Sequence, residues 1–250
     1  MATCPKATEP TADQPLCQCW CYDVLELYDE AVFNRAMALL PWSERRAKVE
    51  RFVFQKDKCL CLGAGLLLSF ALRKAGVRDF ALGYGAHNKP HLLNCSNVHF
   101  NLSHSGAWAV CAVSSDPVGI DVEERRAYDD GVARLCFTAN ELAWMERQDD
   151  VPRAFARLWT RKESYVKLLG TGLSKSPNSF EAMPGTQLER SVSFCEYELP
   201  GCAVCVCARH RGGPGGSALA GAHDSGGQAL AGAHDSGGLM PFSLSMLEDA

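Results

Sequence analysis

The longest apolar stretch in the chain, Leu60–Leu72, sets the first limit on what the sequence can build. Gly63, Gly65 and Ser69 interrupt it, and it falls short of the ~20 apolar residues that a membrane-crossing helix needs. It lies within a helical segment that Asp57 can cap, that runs to Ala75, and that Gly76 can stop. The segment therefore belongs to a water-soluble core. With 250 residues, 47% hydrophobic and 22% charged, the chain can form such a core as one large domain or two small ones. No apolar run occurs in Met1–Pro15, so no signal peptide or membrane association is expected, and the expected location is cytoplasmic. The net charge of −4 argues against a general nucleic-acid binder.

Thirteen cysteines is an odd count, and no secretory leader is expected from the residues before the first strand. Cys17, Cys19 and Cys21 alternate at strand spacing, as do Cys205 and Cys207. No CxxC pair has a matching partner pair, so these thiols are expected to pack as small buried hydrophobes and not to ligate zinc.

The element order is mixed. Strands are expected at Gln18–Val24, Phe80–Gly83, His99–Leu102, Trp108–Ser114 and Val118–Val122. A strand pair follows at Ser191–Glu198 and Ala203–Ala208, turning at Pro200 and Gly201. Helices are expected from Ser43 to Gln55, from Asp57 to Ala75, and from a capping box at Thr138 and Glu141 to Arg147. A further long helix starts at Pro152 and ends at Leu169 before Gly170. Residues 1–16 read as a flexible tail. Ser217–Gly227 (SALAGAHDSGG) and Gln228–Gly238 (QALAGAHDSGG) are an imperfect tandem repeat. Two such units are too few and too small for a solenoid, so 211–238 reads as a disordered insertion. His223, Asp224, His234 and Asp235 recur with it and need no metal. Met240–Met246 again has strand character, which puts the repeat in a loop between two final strands.

Three segments carry chemistry: Asn101–Gly106, Gly119–Glu123 and Trp159–Lys167. Asp121 and Glu123 are two apart on a strand and share a face, where they repel unless a cation or a proton intervenes. Mg²⁺ suits such a site, since it takes few carboxylates and completes its shell with water and phosphate oxygens. Glu163 and Lys167 are four apart on one helix face, a carboxylate and an ammonium presented together as a phosphate-and-metal site requires. Each pair alone is also what a solvated surface offers.

In this order, the segments NLSHSG, VGIDVE and WTRKESYVKLLGTGL resemble the surfactin-synthetase-activating type of 4'-phosphopantetheinyl transferase. Two upstream blocks, RFVFQKD and NKPH, are similar to further blocks of that family, and CAVCVCA and PFSLSML resemble its closing hairpin. The likeness covers residues 17–210 and 239–250. It implies an α+β fold of two similar halves, 17–117 and 118–210, in a pseudo-twofold arrangement, with residues 239–250 as the final strand of the second half. The active site would lie in the cleft between the halves. The implied reaction transfers the 4'-phosphopantetheine arm of coenzyme A to a serine of an apo acyl or peptidyl carrier protein, releases adenosine 3',5'-bisphosphate and depends on Mg²⁺. A monomer is expected.

By the same resemblance Asp121, Glu123 and Glu163 would hold Mg²⁺. Glu163, with Lys167 nearby, or else Glu123, would deprotonate the acceptor serine, and Lys167 would steady the departing phosphate. Ser103, His104, Lys89, Arg46 and Lys48 would contact coenzyme A. The chain departs from the family pattern at Gly65, where an arginine is common, and at Asn88, where a glycine is usual; asparagine also tolerates positive φ. Three rival readings are weaker. A metal-dependent nuclease would need a basic groove, and Glu124 stands where its lysine would follow the second acid. A catalytically dead carrier-binding module would not retain all three carboxylates and Lys167. The trimeric holo-synthase type has a subunit about half this long.

Overall fold

A computed structural model describes residues 17–125, 129–209 and 238–248, so the predicted tail and almost all of the repeat lie outside the described residues. Strand β1 (Cys17–Asp23) leads through a 3-10 turn into three helices, α1 (Glu30–Leu39), α2 (Ser43–Arg51) and α3 (Gln55–Lys74). A short hairpin, β2 (Leu82–Tyr84) and β3 (Pro90–Leu92), comes next, then β4 (His99–Ser105), β5 (Trp108–Ser114) and β6 (Val118–Glu124). The second part of the chain adds α4 (Asp130–Cys136), α5 (Ala139–Glu146), α6 (Val151–Leu169), β7 (Val192–Leu199) and β8 (Cys202–Arg209). It closes with β9 (Leu239–Pro241) and α7 (Ser245–Glu248). The fold is α+β.

Among the described residues the strands form a four-stranded sheet of order β4-β5-β1-β9, the β2-β3 hairpin, and a three-stranded sheet of order β6-β8-β7. Helix α3 carries the predicted apolar run. It is buried from Cys59 to Leu72 and packs with Tyr22, Leu40, Phe100 and Phe242 against one face of the larger sheet. On the other face, Cys17, Cys19 and Cys21 meet Ile120, Val122, Cys195, Val204 and Val206 of the smaller sheet. Alternation along β1 thus sends its thiols into the layer between the sheets and Tyr22 toward α3. These cysteines are free thiols packed in the core, as the strand spacing implies.

The element limits agree with expectation at most positions, and the differences have local causes. The capping box at Thr138 and Glu141 forms, and Gly170 ends α6 in the left-handed region at φ 69°. Asn88 adopts φ 59°, so the turn survives without glycine. Helices α1 and α4 were not anticipated, although each begins at an aspartate, Asp29 or Asp129, that accepts from the amide three residues on.

The closing segment corrects the sequence reading. It is not the last strand of the second half, nor one arm of a hairpin with Cys202–Arg209. Residues Leu239–Pro241 pair in parallel with Cys19–Cys21 of β1, in the first sheet, and the chain then coils into α7. The reason is burial: the Phe242 ring lies 5.0 Å from Tyr22 and from Phe70, and Leu244 and Leu247 enter the α3 core. No helix among the described residues is long and apolar enough to cross a membrane.

Candidate active site

The site begins with the packing of α6 on β6. A Cβ added to Gly119 would collide with the Ser164 carbonyl and stand 2.5 Å from the Leu168 amide nitrogen, so glycine is what lets the helix lie this close. Asp121 and Glu123 follow at the same strand phase, while Val118, Ile120 and Val122 face the core between the sheets. On α6, Glu163 and Lys167 each precede by one residue the two that touch Gly119.

Strand β4 approaches β6 through side chains. Asn101 Oδ1 accepts from the Ile120 amide at 2.9 Å, and Ser105 Oγ accepts from the Glu124 amide at 3.1 Å. Between them Ser103 Oγ donates to Asp121 Oδ1 at 2.8 Å. The alternate residues of N-L-S-H-S are thus the fastening between β4 and β6. Asn101 and Ser105 were missed as contributors; the available signal was the period-2 recurrence of small polar residues at 101, 103 and 105, all of which the fold buries.

Lys167 completes the cluster. Its ammonium donates to Asp121 Oδ1 at 2.6 Å and to Ser103 Oγ at 2.8 Å. Its partner is therefore Asp121, across the elements, and not only its helix neighbour Glu163. Burial raises the Glu163 carboxyl above its ordinary value, the Asp121 charge adds to this, Lys167 opposes it, and Glu123 contributes a further upward push. That balance places Asp121, Lys167 and Glu123 within electrostatic reach of Glu163. Asp121 is 4% exposed, and its Oδ2 is buried with no hydrogen-bond partner among the described residues. Among the described residues no three His, Cys, Asp or Glu side chains are gathered into a ready-made metal cage.

The remaining expected residues are distributed around this cluster. Lys89 spends its ammonium on backbone carbonyls: Val118 at 3.3 Å, Lys167 at 2.5 Å and Leu168 at 3.2 Å. It closes the C-terminal end of α6, and burial pushes it down to about 8. The His104 imidazole is held below its usual range by burial and then by the charges of Lys167, Arg45 and Lys48. Arg46 and Lys48 lie on α2, as does Arg45, which was not anticipated. Arg45 donates twice to the Cys61 carbonyl and runs over Gly65, whose added Cβ would come within 3.2 Å of it. An arginine does occupy this region, then, but from α2. A cavity of about 290 Å³ opens beside the cluster, lined by Lys89, Asn101, Glu163, Lys167, Lys175 and Pro177 among others.

Carboxylates and a lysine held at a sheet–helix junction beside a cavity are the groups that a phosphate-handling enzyme site presents together. Comparison with known proteins gives the family. Residues 29–116 match the model described as 4'-phosphopantetheinyl transferase, N-terminal, and residues 117–215 match that of the 4'-phosphopantetheinyl transferase superfamily. The chain is similar to 4'-phosphopantetheinyl transferase Sfp of Bacillus subtilis, with 32% identity over 67% of this chain and 81% of that protein. It is 34% identical to 4'-phosphopantetheinyl transferase ffp of Bacillus subtilis, over 63% of this chain and 73% of the relative. With 4'-phosphopantetheinyl transferase gsp of Aneurinibacillus migulanus it shares 44% identity over 61% of this chain and 65% of the relative. The chain belongs to the 4'-phosphopantetheinyl transferase superfamily and is an enzyme of the Sfp type.

Proposed function

We propose that this enzyme transfers the 4'-phosphopantetheine arm of coenzyme A to a serine of an apo acyl or peptidyl carrier protein, with Mg²⁺ as cofactor. The observation that carries the chemistry is the buried, unpartnered Asp121 Oδ2 beside Lys167 and the raised Glu163. A buried carboxylate oxygen without a partner is costly and calls for one. Mg²⁺ needs only one or two protein carboxylates, with water and substrate phosphate completing its shell, so an assembled cage is not required. Asp121, Glu123 and Glu163 are the residues that would hold it. When bound, Mg²⁺ supplies positive charge against the pyrophosphate as the bond to the leaving phosphate breaks.

In the transfer, the acceptor serine oxygen bonds to the phosphorus that carries the pantetheine. The bond from that phosphorus to the oxygen of the adenosine-side phosphate breaks, and adenosine 3',5'-bisphosphate departs. Glu163 takes the serine proton, directly or through water, and a raised pKa suits that task; Glu123 is the competing base. Lys167 steadies the charge gathering on the leaving phosphate. Ser103 orients Asp121 and Lys167. His104, Arg46 and Lys48 bind coenzyme A phosphates, and Lys89 shapes the coenzyme site from the end of α6. The reading includes two similar halves, 17–117 and 118–210, related by a pseudo-twofold axis with the coenzyme in the cleft between them. It also includes a monomeric, cytoplasmic enzyme that engages neither membrane nor nucleic acid. The test is release of adenosine 3',5'-bisphosphate from coenzyme A and apo carrier protein. Release should depend on Mg²⁺ and stop in excess EDTA; release that persists in EDTA refutes the metal assignment.

A further inference from the structure

Lys162 stands next to Glu163 on α6 but turns inward. Its side chain and that of Glu141 are both 0% exposed, and they form an ion pair at 2.7 Å. The Lys162 ammonium also donates to the Pro177 and Phe180 carbonyls, each at 2.6 Å, and lies 4.6 Å from the Phe180 ring centroid. Glu141 accepts from the Thr138 amide at 2.9 Å and from the Ala182 amide at 2.8 Å. One buried pair thus fastens the start of α5, the middle of α6 and the segment 177–182. Arg161, one residue earlier, donates to the Ala182 carbonyl, so two successive cations hold the same segment.

Stability alone does not account for this arrangement. Burying two charges costs several kcal/mol per ion, and a well-packed apolar pair often folds as well. The position of the segment suggests a use for it. Pro177, whose carbonyl Lys162 holds, and nearby Lys175 line the cavity that Glu163 and Lys167 bound from α6. We propose that Lys162 is a positioning residue for the transfer: through the Pro177 and Phe180 carbonyls it fixes one wall of the cavity against α6 and so sets coenzyme A relative to Glu163. The inference rests on the function proposed above.

The wild type gives the first measurement. Coenzyme A should slow backbone amide hydrogen exchange across 172–182 in the intact protein; unchanged exchange there, with coenzyme A bound, overturns the proposal. If wild type binds no coenzyme A, the proposed function falls and this inference with it. The variants give the second measurement. K162M strands the Glu141 charge, whereas E141Q/K162M removes both charges and should melt close to wild type. At a temperature where the double variant is folded, its KM for coenzyme A should rise at least tenfold and its amides at 172–182 should exchange faster. K162R, which keeps the charge and the donors, should recover part of the KM. A double variant with wild-type KM and wild-type exchange at 172–182 shows a merely structural pair and overturns the proposal.

Discussion

At the scale of single residues, Asp121 and Glu163 carry opposite liabilities. Asp121 is buried, with Oδ1 held by Ser103 and Lys167 and Oδ2 without a hydrogen-bond partner among the described residues. Asp121→Ala should lower kcat by about a thousandfold or more, the scale of losing a group that stabilises transition-state charge, in a protein that still folds but melts at a lower temperature because Lys167 and Ser103 lose their acceptor. Near wild-type turnover would remove Asp121 from the site. For Glu163 the prediction follows from its raised pKa, whose first cause is burial. The folded state binds this proton more tightly than the unfolded chain does. The resulting stabilisation is full below the ordinary value of 4.5 and is lost as pH rises through the raised value. At neutral pH without metal, the ionised group therefore works against folding. Glu163→Gln should raise Tm in EDTA at pH 7.5 by about 1–3 °C, with the gain vanishing toward pH 4, even as activity collapses. A lower Tm at pH 7.5 would contradict the assignment.

Period 2 on a strand paired Asp121 with Glu123, and period 3.6 on a helix paired Glu163 with Lys167; only the family resemblance joined the two pairs in one site. Periodicity could not assign partners across elements. Glu141 read as half of a capping box, which it is, yet the same carboxylate also neutralises buried Lys162. Lys89 was expected, by resemblance, to contact coenzyme A; its ammonium donates to three backbone carbonyls. A lysine in a loop carries no local sign of where its four-carbon stem will end.

At the scale of elements, the contact between β6 and α6 governs the site, and Gly119 governs that contact. Any side chain there must push the helix away from the strand that bears Asp121. Gly119→Ala should cost about 1–3 kcal/mol of stability and lower kcat even where the protein remains folded. A variant that melts and turns over like wild type would show that α6 can shift without consequence. Gly119 was legible only as part of a motif, because close approach is a property of two elements and neither one alone reveals it. Helix limits were more accessible: Asp57 and Gly76 bracket α3 to within two residues, and Gly170 ends α6. The gap between α2 and α3 falls at Phe52–Phe54. The break was expected a few residues later, between Gln55 and Asp57, because no proline or glycine marks its true position.

At the scale of the whole molecule, the last described strand lies beside the first. Leu239–Pro241 extends the first sheet beside β1, and Phe242 packs on Tyr22 and Phe70. Apolar alternation announced a strand near Met240 but not which sheet it would join, since several exposed edges can accept a short strand. Phe242→Ala should cost about 3–5 kcal/mol, seen as a lower Tm, because it empties part of the α3 core. An unchanged Tm would mean that the closing segment is not docked there.

The enzyme's central chemistry joins all three scales, and one measurement addresses it: the intact mass of an apo carrier protein after incubation with this enzyme, coenzyme A and Mg²⁺. The carrier should gain about 340 Da, one phosphopantetheine on one serine, and gain nothing when Asp121→Ala replaces the wild type. A panel of fatty-acid, polyketide, nonribosomal-peptide and lysine-pathway carriers that all keep their apo mass with wild-type enzyme would contradict the account.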